Sequence, residues 1–202
     1  MIRRIGTALG LAVVLGLAAL GSRADEGAKK AAIGETAPAF KLPDASGKEV
    51  SLADFKGKIV VLEWANPSCP VWKRHLDAKT MVDLAPKYAE KGVVWLAIDS
   101  TNKAHGNFAQ NESWRKEKHL PYPMLVDADS AVGKLYDAKT TPHMFVIDAD
   151  GKLAYEGGID DDPRGKNGEH VNYVVKALDE LLAKKPVSTP KTKPYGCSVK
   201  YQ

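Results

Sequence analysis

From residue 38 onward the chain runs in short apolar blocks whose spacing switches between that of a strand and that of a helix. Phe40 and Leu42 open a short strand, Asp44-Ala45-Ser46-Gly47 is a turn, and Val50-Ser51-Leu52 returns. This predicts a hairpin followed by a helical turn over Leu52–Phe55. Lys58 to Trp64 (KIVVLEW) is a continuous apolar run of strand length, the pattern of a strand covered on both faces. Trp72, Leu76, Met81, Leu84 and Tyr88 then keep an approximately helical stripe from Cys69 to Glu90, closed by Gly92. Val93 to Ile98 reads as a second buried strand, Asn107 to His119 as a polar helix closed by Pro121, and Met124 to Val126 as a short strand. A short helix over Ala131–Tyr136 follows. His143 to Ile147 and Lys152 to Gly157 form two strands around the turn Asp148-Ala149-Asp150-Gly151, a tight antiparallel hairpin. His170 to Ala183 is a last amphipathic helix, apolar at Val171, Val174, Val175, Leu178, Leu181 and Leu182.

Strands alternating with helices predict an α/β domain whose central sheet begins parallel and gains antiparallel strands from the late hairpin. After Lys185 the composition turns to Pro, Thr and Lys, as in an extended tail. The expected organisation is a leader over 1–24, a flexible, small and polar lead-in over 25–37, the folded domain over 38–185, and a tail over 186–202 that carries Cys197. In the leader, Arg3 and Arg4 precede the apolar run Ala8–Leu20, and Ser22-Arg23-Ala24 puts small residues at the −3 and −1 positions of a cleavage site. The run is short for a membrane span, so cleavage after Ala24 is favoured over an uncleaved anchor. That predicts an exported protein, periplasmic or secreted, without stable membrane insertion.

Charge and cysteine content narrow the function. The leader holds three arginines and no acid, so its removal lowers the net charge from +4 to about +1. A near-neutral domain with no basic stripe gives no case for nucleic acid. Two cysteines, Cys69 and Cys197, are too few for a disulfide scaffold, although an oxidising compartment permits a bond between them. His105, His119 and His170 show no metal-ligand spacing with each other, the run Asp160-Asp161-Asp162 could hold a cation, and no cofactor is expected. The acidic run Asp160-Asp161-Asp162 reads as a solvated loop, and Trp64, Trp72, Trp95 and Trp114 as core or groove-lining residues.

Pro67-Ser68-Cys69-Pro70 sits between a buried strand and a helix. Proline is favoured at the first helical position, so Pro70 there makes Cys69 the N-cap, at the positive end of the helix dipole. That position favours thiolate over thiol. Lys73, four residues on, can add a positive charge on the same side. The alternative is a buried, inert cysteine. Thr140-Thr141-Pro142 directly before a strand is a candidate cis bond. His75, six residues beyond Cys69, falls off its helix face and reads as structural or exposed.

These features together resemble the redoxin branch of the thioredoxin superfamily, the peroxiredoxin-like group of the alkyl hydroperoxide reductase and thiol-specific antioxidant type. LEWANPSCPVWKRH resembles its first core strand, active-site cysteine and helix, and KTTPHMFVIDADGKLAYEGGIDD its cis-proline strand, hairpin and loop. KPYGCSVKY resembles the tail of one peroxiredoxin-like subgroup. The resemblance implies a thioredoxin-like fold: a central mixed sheet flanked by helices, with an N-terminal hairpin extension and an extended C-terminal tail. It also implies that Cys69 is the attacking thiol and that Pro142 lies against it. Thr141 would offer its backbone to a bound peptide or disulfide. His143 would be either a proton shuttle near Cys69 or a strand histidine pointing elsewhere.

Two positions depart from the family's signatures. Trp72 stands where a Cys-X-X-Cys pair has its second cysteine. Asn66 and Leu62 stand where peroxiredoxins place a Thr or Ser and a Pro; Asn66 can still donate a hydrogen bond. The remaining thiol is Cys197, either the resolving partner of Cys69 or a tail cysteine with no catalytic part. The leading expectation is a thiol-dependent oxidoreductase with antioxidant, peroxidase-like activity or thiol–disulfide exchange. Its substrate would be a peroxide or a protein disulfide and its reductant an external thiol. The alternatives are copper handling through Cys69 and His143, or a binding module without turnover.

Overall fold

A computed structural model of the protein describes residues 29–102, 108–166 and 168–201. The expected leader over 1–24 and the first residues of the lead-in lie outside the described residues. Strands β1 (Lys41–Pro43) and β2 (Glu49–Ser51) pair antiparallel as the expected hairpin, and one 3-10 turn follows over Leu52–Phe55. Strand β3 (Val60–Trp64) leads into helix α1 (Pro70–Asp77), then α2 (Thr80–Ala89) and strand β4 (Val94–Asp99). Next come α3 (Asn111–Glu117), β5 (Met124–Val126), α4 (Ala131–Leu135), β6 (Thr140–Thr141), β7 (His143–Ile147) and β8 (Leu153–Gly157). Helix α5 (Tyr173–Leu182) and strand β9 (Cys197–Ser198) complete the chain.

The central sheet has the order β5-β4-β3-β7-β8. Its β3/β4 and β4/β5 pairs are parallel and its β3/β7 and β7/β8 pairs antiparallel, the mixed thioredoxin-like sheet that the pattern predicts. Every residue of β3 and of β7 is buried. Alternation then sorts their side chains into two cores. Val61, with Cys69, Trp72, Met81, Trp95, Met144, Val174 and Leu178, packs on the face covered by α1, α2 and α5. Leu62, Trp64, Leu96, Ile98 and Phe145 pack on the other face, beneath the β1–β2 hairpin and Tyr136.

Three helices differ from their predicted lengths. The stripe from Cys69 to Glu90 is two helices, because Lys79 takes a left-handed conformation (φ 56°) between them. The break re-aims the second helix so that Met81, Ala85 and Tyr88 are buried. Of the helix expected over 107–119, Asn107 lies outside the described residues, Phe108–Gln110 is a 3-10 turn, α3 follows, and His119 (φ 51°) lies beyond its end. The last helix starts later than the apolar pattern suggests: Asn172 caps it, accepting from the Val175 amide at 2.9 Å. Val171 is left outside and 47% exposed.

The apolar reading of KIVVLEW missed a charged residue in the core. The Glu63 side chain is fully buried and accepts from the indoles of Trp72 (α1) and Trp95 (β4, 2.8 Å) and from the Tyr122 hydroxyl (3.0 Å). Burial pushes its carboxyl above the usual range, against the pull of those three donors. One side chain thereby ties α1, β4 and the approach to β5 to the central strand. Glu63→Ala strands three buried donors, and a loss of about 3 kcal/mol or more is expected in urea unfolding. A loss below about 1 kcal/mol would contradict the hub.

Candidate active site

The β3–α1 turn is made by the residues expected to make it. Asn66 bends the chain: its Oδ1 accepts from the Ser68 amide at 2.7 Å and its carbonyl from the Cys69 amide at 2.9 Å. Cys69 has extended backbone angles (φ −82°, ψ 117°) and is the N-cap of α1, with Pro70 as the first helical residue. Its Sγ accepts from the Trp72 amide at 3.5 Å. The residue in the place of a second redox cysteine thus serves Cys69 with its backbone and Glu63 with its ring.

Cys69 is 1% exposed, and its thiol donates to the Thr141 carbonyl at 2.9 Å. The Thr141–Pro142 bond is cis, so β6 and β7 meet at a corner beside the sulfur. On the other side of that corner lies the tail. Strand β9 pairs antiparallel with β6, Thr141 facing Cys197 and Thr140 facing Ser198. Gly196 adopts φ 132°, and a Cβ there would stand 2.2 Å from the Thr141 carbonyl oxygen, so only glycine permits this approach. The tail expected to be extended is docked along its length. Thr192 and Val199 donate backbone hydrogen bonds to Glu156 (3.1 Å) and Lys139 (3.0 Å), and Asn102 donates to Lys200 (2.7 Å).

The two sulfurs therefore share one site, and they are electrostatically unequal. A helix N-terminus is worth about 0.3–1 kcal/mol, less than the ~1.4 kcal/mol of one pKa unit. Burial by itself raises the Cys69 thiol. Hydrogen bonds from the Cys197 thiol, from Thr141 and from the Trp72 and Cys197 amides outweigh that burial, and the net shift is downward. The Thr141 hydroxyl is buried and, among the described residues, has no partner beside the protonated thiol, so it can donate to the thiolate. Cys197 moves the other way: burial and the adjacent Cys69 push it up to about 11. Cys69 ionises first.

Other expected site residues are placed differently. The Lys73 ammonium lies 5.8 Å from the centroid of the Trp114 ring. Asn66 spends its carboxamide oxygen on the turn. His143 pairs in register with Trp64, whose neighbour Glu63 faces the Cys69 side, so His143 belongs to the opposite face. Its ring packs on Phe145 (4.4 Å between centroids) and its Nδ1 accepts from the Lys139 amide at 3.1 Å. Of the two readings of His143, a strand histidine aimed elsewhere is the one found. Its ring is thus turned away from the face that holds Cys69, its expected partner in proton shuttling or copper handling. Among the described residues, no group of three or more His, Cys, Asp or Glu side chains is arranged to hold a metal ion.

The acidic run is solvated only at Asp161, which is exposed. Asp160 and Asp162 are buried, and Asp160 faces His75, also buried, with Nδ1 3.9 Å from Oδ2. Burial lowers His75 to about 4, against the pull of the Asp160 carboxylate, and lowers His143 to about 3.

The model of the AhpC/TSA family matches residues 33–156, a stretch that includes Cys69 and Thr141 and ends before the tail. The thiol-disulfide oxidoreductase ResA of Bacillus thuringiensis subsp. konkukian is 36% identical over 130 residues, 63% of this chain and 70% of that protein. An uncharacterized conserved protein from Geobacillus kaustophilus is similar in structure, with a TM-score of 0.77 and 33% identity over 87% of this chain and 95% of that one. A hypothetical protein from Sinorhizobium meliloti 1021 also has a TM-score of 0.77, with 29% identity over 87% of this chain and 97% of that one. Among the described residues, no helix is long and apolar enough to cross a membrane.

Two outcomes are expected. Cys197→Ser replaces the tail thiol that helps hold Cys69 down, so the Cys69 pKa rises, read from ultraviolet thiolate absorbance against pH. An unchanged titration would contradict the pairing. The neutral His143 ring contributes its full stability above the unfolded value near 6.5 and loses it as pH falls toward 3. The stability difference between wild type and His143→Phe therefore shrinks by about 3 kcal/mol from pH 6.5 to 4. A constant difference in urea unfolding would mean that the ring is not held neutral.

Proposed function

The chain belongs to the AhpC/TSA family, and we propose that it is a thiol-dependent oxidoreductase that cycles between a Cys69/Cys197 dithiol and a Cys69–Cys197 disulfide. The observation that carries this reading is the β6–β9 pairing, which sets the tail thiol beside the nucleophile already in the reduced protein. It answers the absence of a Cys-X-X-Cys pair: the second thiol comes from the chain's other end.

The cycle needs no group beyond these side chains and their substrates. With a hydroperoxide, the Cys69 thiolate attacks the terminal oxygen. An S–O bond forms, the O–O bond breaks, and the leaving alkoxide or hydroxide takes a proton. Cys197 then attacks the Cys69 sulfur: the S–S bond forms, the S–O bond breaks, and water leaves with the Cys197 proton. With a disulfide substrate, the Cys69 thiolate forms the mixed disulfide and expels one thiolate, and Cys197 expels the second. Either way two electrons pass from the thiol pair to the substrate, and two external thiols return them. The lowered Cys69 is the nucleophile in both schemes. The raised Cys197 stays protonated and inert until a sulfur partner is presented.

Export fits this chemistry. Cleavage after Ala24 would deliver the domain to the periplasm or the exterior, where an antioxidant or disulfide-exchange role meets oxidants and disulfides. The similarity to the oxidoreductase ResA supports the exchange reaction, and the family match supports peroxide removal.

Peroxide consumption and disulfide reduction, each measured with an excess of a small thiol, test the reading. Cys69→Ser is expected to abolish turnover. Cys197→Ser is expected to leave one round of Cys69 oxidation and to slow steady turnover at least tenfold, since an external thiol must replace a tethered one. Full turnover in Cys69→Ser would overturn the assignment.

A further inference from the structure

Resting on that two-cysteine reading, we infer that Tyr195 is a positioning residue for Cys197, the buckle that holds the tail thiol where it captures oxidised Cys69. Tyr195 lies two residues before Cys197, and Gly196 between them makes the close approach to Thr141. Its phenol donates to Oδ1 of buried Asp160 and meets Nε2 of His75 at 3.1 Å. Its ring packs against the imidazole with 6.0 Å between centroids.

This anchor is a built feature with its own support. Asp160 Oδ1 also accepts the Asp162 amide at 2.9 Å, and Oδ2 faces His75 and His170 at 3.9 and 3.8 Å. Arg74 closes the cluster over the same loop, donating to the Asp162 carbonyl at 3.2 Å and the Pro163 carbonyl at 3.0 Å. His75 and Arg74 both belong to α1, the helix that Cys69 caps. The attacking thiol and the anchor of its partner thus ride on one rigid element. Beyond Cys197 a second tyrosine, Tyr201, donates to the Ala138 carbonyl, and Asn102 Nδ2 donates to the Tyr201 carbonyl at 2.9 Å. The redox segment is a strap fixed on both sides of its thiol.

The strap has a chemical consequence. After one peroxide, Cys69 is a sulfenic acid. A second peroxide would add another oxygen to that sulfur, giving sulfinic acid and water, a dead end for the cycle. Capture by Cys197 competes with that step, and its rate scales with the fraction of time the tail thiol is seated. Loss of the Tyr195 hydroxyl removes a hydrogen bond to a buried carboxylate and lowers that fraction.

The experiment is mass spectrometry of the full chain after brief exposure to excess hydrogen peroxide, read as the ratio of Cys69–Cys197 disulfide to Cys69 sulfinic acid. Wild type is expected to give disulfide almost alone. Tyr195→Phe is expected to lower the ratio measurably, by up to about tenfold, the factor of one lost hydrogen bond. Tyr88→Phe is the control, because it breaks a comparable tyrosine–aspartate bond (Tyr88 to Asp179, 2.8 Å) that joins α2 to α5 and does not touch Cys197 or its anchors. An unchanged ratio in Tyr195→Phe, or an equal fall in Tyr88→Phe, overturns the positioning role alone. A wild type that forms no Cys69–Cys197 disulfide overturns the two-cysteine reading beneath it.

Discussion

The carbonyl of Thr141 is the point on which the site depends. It accepts the Cys69 thiol, and the backbone on either side of it carries the β6–β9 pairing that brings in Cys197. The requirement for glycine at 196 follows from the same atom, since any Cβ would collide with that oxygen. A buried sulfur, a sheet corner and a chain terminus are thus tied through one peptide group. Each tie is an ordinary hydrogen bond of about 1 kcal/mol net. Their value lies in position: they hold the half-buried Cys197 against the buried Cys69.

Around that point the fold divides its work by face. On the proposed reading the α1 face carries the chemistry, with Cys69 at the helix tip and Glu63 beneath, holding the indole of Trp72. The opposite face takes His143 and Phe145 and is structural. Because a strand alternates its side chains, the cis-proline corner presents its backbone to Cys69 while the next imidazole is turned away. Proximity in sequence to Pro142 therefore says little about proximity to the sulfur.

What was legible in the sequence follows from how local each cause is. The strand–cysteine–proline–helix order is local, and Cys69 as N-cap with Pro70 behind it appears as the chain predicts. The hairpins, the parallel start of the sheet and the cis-proline corner were likewise readable. Glu63 was hidden because its partners come from residues 72, 95 and 122, and a single acid in an apolar run carries no mark of three buried donors. The break at Lys79 leaves no trace in residue type, since lysine does not advertise a left-handed conformation. His75, Asp160 and Tyr195 looked unrelated because 120 residues separate the first from the last. The tail reads as a linker by composition, and only long-range pairing turns it into part of the site.

The central claim is that the tail is seated on the site while both cysteines are still reduced. Backbone amide hydrogen exchange of the reduced full chain tests it directly, at Val199, whose amide donates to Lys139, and at Asn102, whose amide donates to Lys200. The account predicts that both amides exchange far more slowly than free peptide, and that oxidation of the cysteines adds little further protection. Exchange at free-peptide rates in the reduced protein, with protection appearing only after oxidation, would show that the disulfide seats the tail, and would contradict a site assembled in advance.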